Sequence, residues 1–577
     1  MERRRTVESD RVESLRNAFR ADGFDIDEVI TRQLPDGEEK IGIVAKHQTA
    51  VIGTTGEKKK AFYVEGDPYT MGYLMGRLAE PDIERMCTEF NENIVFDFLH
   101  VEIKDKVLRE LLGKLLTDII NWLSRNIYQD FPEHYKLELQ GMLAGCQEAN
   151  PKTKVDEKQL WILNVGIDGL LAFIYTGKLP LAVAELYKDM DLELKPEYFR
   201  IPVMCNGYAQ FGTGNNGKPY HYMGRDFMFP TAGVFEYTAA MIIYNPADGH
   251  PFVTVSAPGM IGSIAGMNQA GIGVGVDMSP SGNCDSDRPG VNSLLLNRLA
   301  IQEGASAQEA VDVMVNTQRG VSWDYILADG ANDRACVVEA GMSTDQIDFM
   351  SYPPDHLTEG ILKPVTELLK NPSTEIRDGL MVRWNDYQYP EVYNDAFNPQ
   401  LVEDYKRLHP GYDYQYNADD FDETGFINAT YTGENCPKGY YFAPQREQRD
   451  DLVLVSNHYV IPEMRLCAMN WWTQIISAAE YNDIQWRYDQ LNKELLDALA
   501  QGPLDADQAL EIIDFLAPYG QFPDYYFQYW EKDIKPLPEC AIQGSVSLMD
   551  LKELTIINHY GFYSDEWVTI SLSRYLD

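Results

Sequence analysis

Cys205 and Arg225 are the residues of this chain whose types and spacing point first to chemistry. They lie in the segment CNGYAQFGTGNNGKPYHYMGRDFMF, in which Asn216-Gly217 marks a tight hairpin turn. Two antiparallel strands joined at that turn would bring the thiol and the guanidinium face to face. A free thiol has a pKa of about 8.5 and reacts as the thiolate, so an adjacent positive charge favours the reactive form. A buried structural cysteine beside an ion-paired arginine accounts for the same residues. If the bond between Met204 and Cys205 were cut, Cys205 would also carry a free α-amine, with pKa roughly 7.7–8.0. An amine on the same residue as the thiol can serve as its base. No histidine is then needed, and none of the nine His forms an obvious pattern with Cys205.

The elements that would position these residues differ in texture along the 577 residues. Residues 1–35 are polar, a helix and a loose lead-in. Ile41–Val51 and Lys60–Val64 alternate like two strands, and Asp67-Pro68 signals a helix start, with Gly72 and Gly76 on one helical face. From there to about Tyr187 the chain reads as helical, so residues 1–204 are expected to be mostly helical. Residues 205–342 are short apolar runs broken by glycine, the texture of a sheet. Two helices interrupt them, the second capped by Ser306 with Glu309 closing a capping box. Residues 343–450 are rich in Tyr, Asp, Pro and Asn and read as an insertion. Strand texture resumes at DLVLVSNHYV, and residues 451–577 complete the sheet region with two further helices.

Composition narrows the partners. The net charge is −40, from 49 Lys+Arg against 89 Asp+Glu, which argues against a nucleic-acid partner or an anionic membrane surface. No run approaches ~18 apolar residues, so no membrane span is expected. The N-terminus lacks the apolar core of a secretory signal. The eight cysteines form no CxxC pair and no zinc-like spacing with histidine, so a reduced, cytoplasmic protein without a metal is expected. The glycine-rich GTGNNG and GIGVG fit no dinucleotide fingerprint, and NADDFDETG lacks the glycine and terminal Glu of a calcium loop, so no cofactor is expected.

An ordered set of segments resembles a known group. The Cys205 hairpin ending in Gly-Arg resembles the N-terminal-nucleophile cysteine hydrolases, which include choloylglycine hydrolase and penicillin V acylase. EGDPYTMGYLMG, ELQGMLAGCQ with LWILNVGID, GMNQAGIGVGVDMS and VLVSNHYVIPEM resemble, in order, segments of the acyl-coenzyme A:6-aminopenicillanic acid acyltransferase branch. The resemblance covers about residues 60–342 and 451–573. It implies an α+β fold of αββα type, with two antiparallel sheets between helical layers and a helical pro-segment ahead of a Met204/Cys205 cleavage site. It implies a small acyl amide or acyl thioester substrate, an S-acyl Cys205 intermediate, and release to water or transfer to an amine. A homo-oligomer is left open.

The resemblance also implies roles and exposes departures. The family commonly reads Gly-Arg-Asn-aromatic-Asp where this chain has Gly224-Arg225-Asp226-Phe227-Met228. The carboxylate that normally holds the α-amine is thus missing at Met228, and Asp226 is expected either to replace it or to leave the amine to another group. Asp277 stands at a backbone oxyanion donor. Asp324 stands where the branch tends to place Asn, so it is either protonated, or a recogniser of a cationic substrate group, or part of the wall. Asn457 is expected to donate to the oxyanion. His458 and the helix-borne Arg487 are expected at the substrate. The tyrosines of the insertion, Tyr387 among them, are expected to cover the pocket. A lipid-type ester or amide hydrolase of the same fold, or an altered binding member without catalysis, would fit these departures too.

Overall fold

The computed structural model describes residues 2–52, 56–94, 106–176, 204–228, 232–344 save 280 and 282, 377–388, 413–415, 430–432, 449–464 save 462 and 463, 483–515, 545–560 and 566–576. Two sheets face one another. The larger has ten strands, in the order β1 (Phe24–Gln33), β2 (Glu39–Val51), β3 (Lys58–Gly66), β6 (Ala240–Pro246), β7 (Phe252–Ser256), β8 (Ala265–Asn268), β9 (Ile272–Met278), β10 (Trp323–Asp329), β11 (Arg334–Ala340) and β12 (Leu380–Trp384). The smaller has six, in the order β15 (Leu452–Val455), β4 (Met204–Thr213), β5 (Pro219–Met228), β16 (Ser545–Asp550), β17 (Thr555–Tyr560) and β18 (Val568–Ser571). Residues 413–415 and 430–432 pair as a separate ribbon, β13 and β14.

Three details differ from the sequence reading. The large sheet is not wholly antiparallel: β3 and β6 run parallel. The chain between them holds helices and the β4–β5 hairpin of the other sheet, and a crossover of that length is what parallel pairing needs. Residues 24–33, read as a loose polar lead-in, form β1, an edge strand whose polar residues face solvent. The 343–450 stretch supplies β12, which closes the other edge of the large sheet.

Helices cover the outer faces. α2 (Pro68–Arg85) is capped by Asp67, whose Oδ1 accepts the Thr70 N–H at 3.0 Å. It packs on α4 (Glu133–Ala149) through glycines from both helices, while α3 (Lys106–Leu123) lies against α5 (Glu157–Tyr175). A Cβ on Gly72 or Gly141 would stand 1.9 or 2.0 Å from a backbone carbonyl of the facing helix, so only glycine permits this approach. α6 (Ser293–Glu303) and α7 (Ala307–Asn316) lie on β8–β11. Ser306 Oγ accepts the Glu309 N–H as expected, but the Glu309 carboxylate reaches Ala305 N, one residue before the cap. α8 (Asp483–Gln501) and α9 (Ala506–Phe515) cover the small sheet, sharing a core with Tyr208, Tyr222, Leu454 and Leu548.

Alternation along β4 and β5 sorts the site residues by face. Cys205, Gly207, Arg225 and Phe227 are cross-strand partners and turn towards the large sheet, as do Ala209 and Met223 of its core. Asn206 and Asp226 are also partners, on the opposite face. Across the gap, a Cβ on Gly273 would lie 2.9 Å from Met223 Sδ, and one on Gly275 would lie 2.7 Å from Arg225 Cδ. The inward residues of β5 thus step along β9 in order, which brings Phe227 and Cys205 towards Asp277.

Candidate active site

Cys205 is completely buried near the start of β4. The hairpin closes as its sequence requires: Gly217 takes a φ of +75°, and the Gly214 N–H reaches Lys218 O at 2.8 Å. The backbone N–H of Cys205 donates to Asn457 Oδ1 at 2.8 Å, and Asn457 Nδ2 donates to Met278 O at 2.7 Å. One orientation of the amide satisfies both, so Asn457 bridges the two sheets at the nucleophile. Asn457 was expected to donate to an oxyanion; here one of its N–H groups serves Met278, and its oxygen serves Cys205 N.

The segment after β15, Ser456 to Ile461, acts as a clasp. Ser456 Oγ lies 3.1 Å from Asn206 Oδ1. Tyr459 donates its hydroxyl to Ala340 O at 2.7 Å, and the N–H groups of Val460 and Ile461 both donate to Glu339 at 3.0 Å. His458 is buried with its ring 5.3 Å from that of Tyr488, so it packs under α8. Tyr387, from the insertion, packs against Met381, Tyr459, Ile461 and Met464 at the clasp. The side chains of the other insertion tyrosines, and those of Arg487, Met204 and Met228, lie outside the described residues.

Arg225 is also fully buried. Its Nη1 donates to Asn206 O at 3.2 Å, its Nε lies 3.5 Å from Asp277 Oδ2, and Asp226 Oδ1 stands 3.9 Å away. Asp226 accepts both the backbone N–H and the side-chain amide of Asn206, the latter at 2.9 and 3.1 Å. It faces away from the thiol, so it braces the hairpin beside the site. Asp277 acts through its side chain on Arg225, a partnership that its assignment as a backbone donor did not foresee.

Asp277, Asp324 and Glu339 are register partners on β9, β10 and β11, and form one row of buried carboxyls across the large sheet. Arg383 on β12 pairs with Glu339 at 3.3 Å and donates to Leu454 O at 2.8 Å. Burial pushes the Asp324 carboxyl well above the usual range, and neighbouring Glu339 and Asp277 add to this. Glu339 is raised by burial too, against the pull of Arg383 and its two backbone donors. Glu339 and Arg383 were missed in the sequence. The signal was there for Glu339: like Asp277, it is a lone acid within an apolar strand. Among the described residues no three acidic, His or Cys side chains are gathered so as to hold a metal ion, and no helix is long and apolar enough to cross a membrane.

An apolar cavity opens beside this centre, with about 630 Å³ of empty space counted together with the open solvent at its mouth. Phe227, the cross-strand partner of Cys205, lines it together with Trp323, Phe235, Phe90, Leu163 and Ile167. Phe90, Leu163 and Ile167 come from the chain ahead of Cys205. Behind the wall, Asp168 of α5 accepts the Ser293 N–H at 2.6 Å and its hydroxyl at 3.2 Å. Burial pushes the Asp168 carboxyl up to about 7, opposed by Ser293 and Trp323. A folded-state value above the unfolded one means that this group stabilises the fold at low pH and that the stability is lost as pH rises from about 3.8 through about 7. Asp168→Asn cannot ionise and keeps an acceptor for Ser293. Denaturant melts at acidic and neutral pH should show the wild type losing on the order of 3 kcal/mol relative to the variant, at about 1.4 kcal/mol per unit. Parallel pH curves for the two proteins would refute this role.

The hairpin, the acid row and the strands between them also carry the sequence likeness. Residues 218–359 match the family model described as acyl-coenzyme A:6-aminopenicillanic acid acyl-transferase. The matched segment contains Arg225, Asp226, Asp277, Asp324 and Glu339, and begins beyond Cys205, at the hairpin turn. An uncharacterised protein of Archaeoglobus fulgidus is 27% identical over 523 residues, 90% of this chain and 67% of that protein. Protein dcd1A of Dictyostelium discoideum is 23% identical over 376 residues, 61% of this chain and 76% of its own. Among solved structures, a mutant of the conjugated bile acid hydrolase from Clostridium perfringens aligns over 64% of this chain and 93% of its own, with 10% identity and a TM-score of 0.32. Penicillin V acylase from Agrobacterium tumefaciens aligns over 63% and 85%, with 12% identity and a TM-score of 0.25. Likenesses at these TM-scores are too slight to argue from.

Proposed function

We propose that this chain is an N-terminal-nucleophile cysteine hydrolase or acyltransferase, matured by cleavage between Met204 and Cys205, that carries an acyl group from a linear amide or thioester on Cys205. The observation that carries the reading is the hold on Cys205 N by Asn457 Oδ1. After cleavage that nitrogen becomes an amine beside its own thiol, already gripped by an acceptor where Met228 offers none. The amine takes the thiol proton, the sulfur attacks the acyl carbon, and the amine returns the proton to the departing nitrogen or sulfur. Water or an acceptor amine then releases the thioester. Arg225 favours the thiolate from the same face.

The apolar cavity beside Phe227 supports an apolar acyl group as the part that is bound. In this reading the chain ahead of Cys205 is a pro-segment only in the sense that it precedes the cut. It supplies β1–β3 and one wall of the cavity, and would stay in place afterwards. The proposed domains are therefore 1–204 as the retained N-terminal region, 205–342 with 451–577 as the nucleophile domain, and 343–450 as an insertion that edges the sheet and reaches the clasp. A cytoplasmic setting accords with the five described cysteines, none of them in a disulfide.

The test is mass analysis of purified protein before and after exposure to p-nitrophenyl esters of acetate and octanoate. The expected result is a chain that begins at Cys205 and gains one acyl group on it, faster with octanoate. An uncut chain that acylates elsewhere would overturn the reading.

A further inference from the structure

The buried charges between the sheets do not balance. Among the described residues two guanidiniums, Arg225 and Arg383, share this layer with three fully buried carboxyls, Asp277, Asp324 and Glu339, while Asp226 is buried on the other face of the small sheet. Asp277 has Arg225 at 3.5 Å. Glu339 has Arg383 at 3.3 Å and two backbone N–H donors. Asp226 has the amide of Asn206 and, at 3.9 Å, Arg225. Among the described residues Asp324 has no cation paired with it, and its oxygens make no hydrogen bond of ordinary length, the Ser279 hydroxyl being the donor nearest to hand. An isolated carboxylate so placed costs far more than a neutral acid.

Position gives this a consequence. Asp324 is the register partner of Asp277, and the next residue along β9, Met278, is tied through Asn457 to Cys205 N. The groups set beside Asp324 are Asp277 from β9, Glu339 from β11 with Arg383 on β12, and the Ser279 hydroxyl at the end of β9; across the gap, β4, which bears Cys205, packs against β10, and Arg225 stands against Asp277. Arg225 Nη2 is likewise buried without a hydrogen-bond partner in this layer. Buried polar atoms usually find partners, and the Asp324 oxygens, in register with Asp277 beside the Asn457 bridge to Cys205 N, mark a place that a polar ligand atom fits.

We propose that Asp324 is a catalytic residue that works as a neutral carboxylic acid, donating a hydrogen bond to the acyl oxygen as Cys205 attacks. This rests on the function proposed above. When the Cys205 sulfur bonds to the acyl carbon, the C=O electron pair moves onto oxygen, and the thiol proton goes to the α-amine of Cys205. The Asp324 hydroxyl stabilises that oxygen and keeps its own proton. The pair then returns, the bond to the leaving nitrogen or sulfur breaks, and the amine supplies the proton to the leaving group. Only the protonated acid can donate. The contribution is therefore present below the raised pKa of Asp324 and lost as pH rises through it.

Single-turnover acylation of Cys205 by p-nitrophenyl octanoate, followed by mass across neutral to alkaline pH, tests this. Asp324→Asn keeps a donor that cannot ionise. It should stay within about 10-fold of wild type at neutral pH and lose the alkaline decline. Asp324→Leu removes the donor at similar size and should fall by about 10²–10³-fold, the scale of one lost oxyanion donor. An Asn variant as slow as the Leu variant would show that the charged form is needed, and would overturn the proposal. So would an alkaline decline retained in Asp324→Asn, or a Leu variant near wild type. Failure of Cys205 to acylate in every protein, wild type included, would instead overturn the parent reading, so the two failures are distinct.

Discussion

Cys205→Ala will leave a folded chain of 65.7 kDa that is never cut and never acylated. Loss of a covalent nucleophile removes the path itself, so the expected fall in acyl turnover is on the order of 10⁴-fold or more. The fold should tolerate the change. Cys205 is one small side chain on a strand whose neighbours, Gly207, Phe227 and Val455, remain paired. A buried thiol replaced by methyl costs about 1 kcal/mol, the centre of the range for single substitutions. Intact mass, a denaturant melt and turnover of an octanoyl ester read the three parts separately. Cys205→Ser is the companion variant, because it keeps an α-amine and a hydroxyl if the cut occurs. Turnover surviving in Cys205→Ala would remove Cys205 from the chemistry, whatever the state of the chain.

Arg225→Met will have the second largest effect, and on two quantities at once. The side chain is fully buried, and it compensates Asp277 while donating to Asn206 O. Its removal takes the paired cation from the buried Asp277 carboxyl, so about 3–5 kcal/mol of stability should go. The double variant Arg225→Met with Asp277→Asn removes both charges and should regain most of that loss. Activity should not return with stability: without the guanidinium the thiolate is less favoured, and the expected deficit is on the order of 10²-fold in kcat/KM, or about 2.7 kcal/mol. Arg225→Lys separates charge from shape, since an ammonium cannot reproduce the planar fork that serves Asn206 and Asp277 together. A double variant with wild-type turnover would confine Arg225 to a structural role.

Much of this site was legible from residue order alone. Asn216-Gly217 forces a hairpin, and a hairpin of that length sets Cys205 and Arg225 on one face two positions apart along paired strands. Asp67 and Ser306 cap the helices they precede because their side chains offer oxygen to unsatisfied N–H groups. Gly72 and Gly76 were legible on one helical face, but their close meeting with Gly141 and Gly145 of another helix was not. These features are local, so the information that fixes them lies within a few residues.

What the sequence left open depended on contacts between distant segments. Asn457 is 252 positions from Cys205, and only the pairing of β15 with β4 sets its oxygen against that N–H. Strand parity turned Asp226 away from the thiol while keeping it next to Arg225 in the chain. The acid row exists because β9, β10 and β11 align in register; taken singly, Asp277, Asp324 and Glu339 are three unrelated acids in three apolar runs. The first 66 residues read as a charged helix and two loose strands, and became an edge of the large sheet because β3 found β6 in parallel. Local pattern determines which elements form and which residues share a face. Long-range pairing decides which faces meet, and the chemistry proposed here arises between two faces.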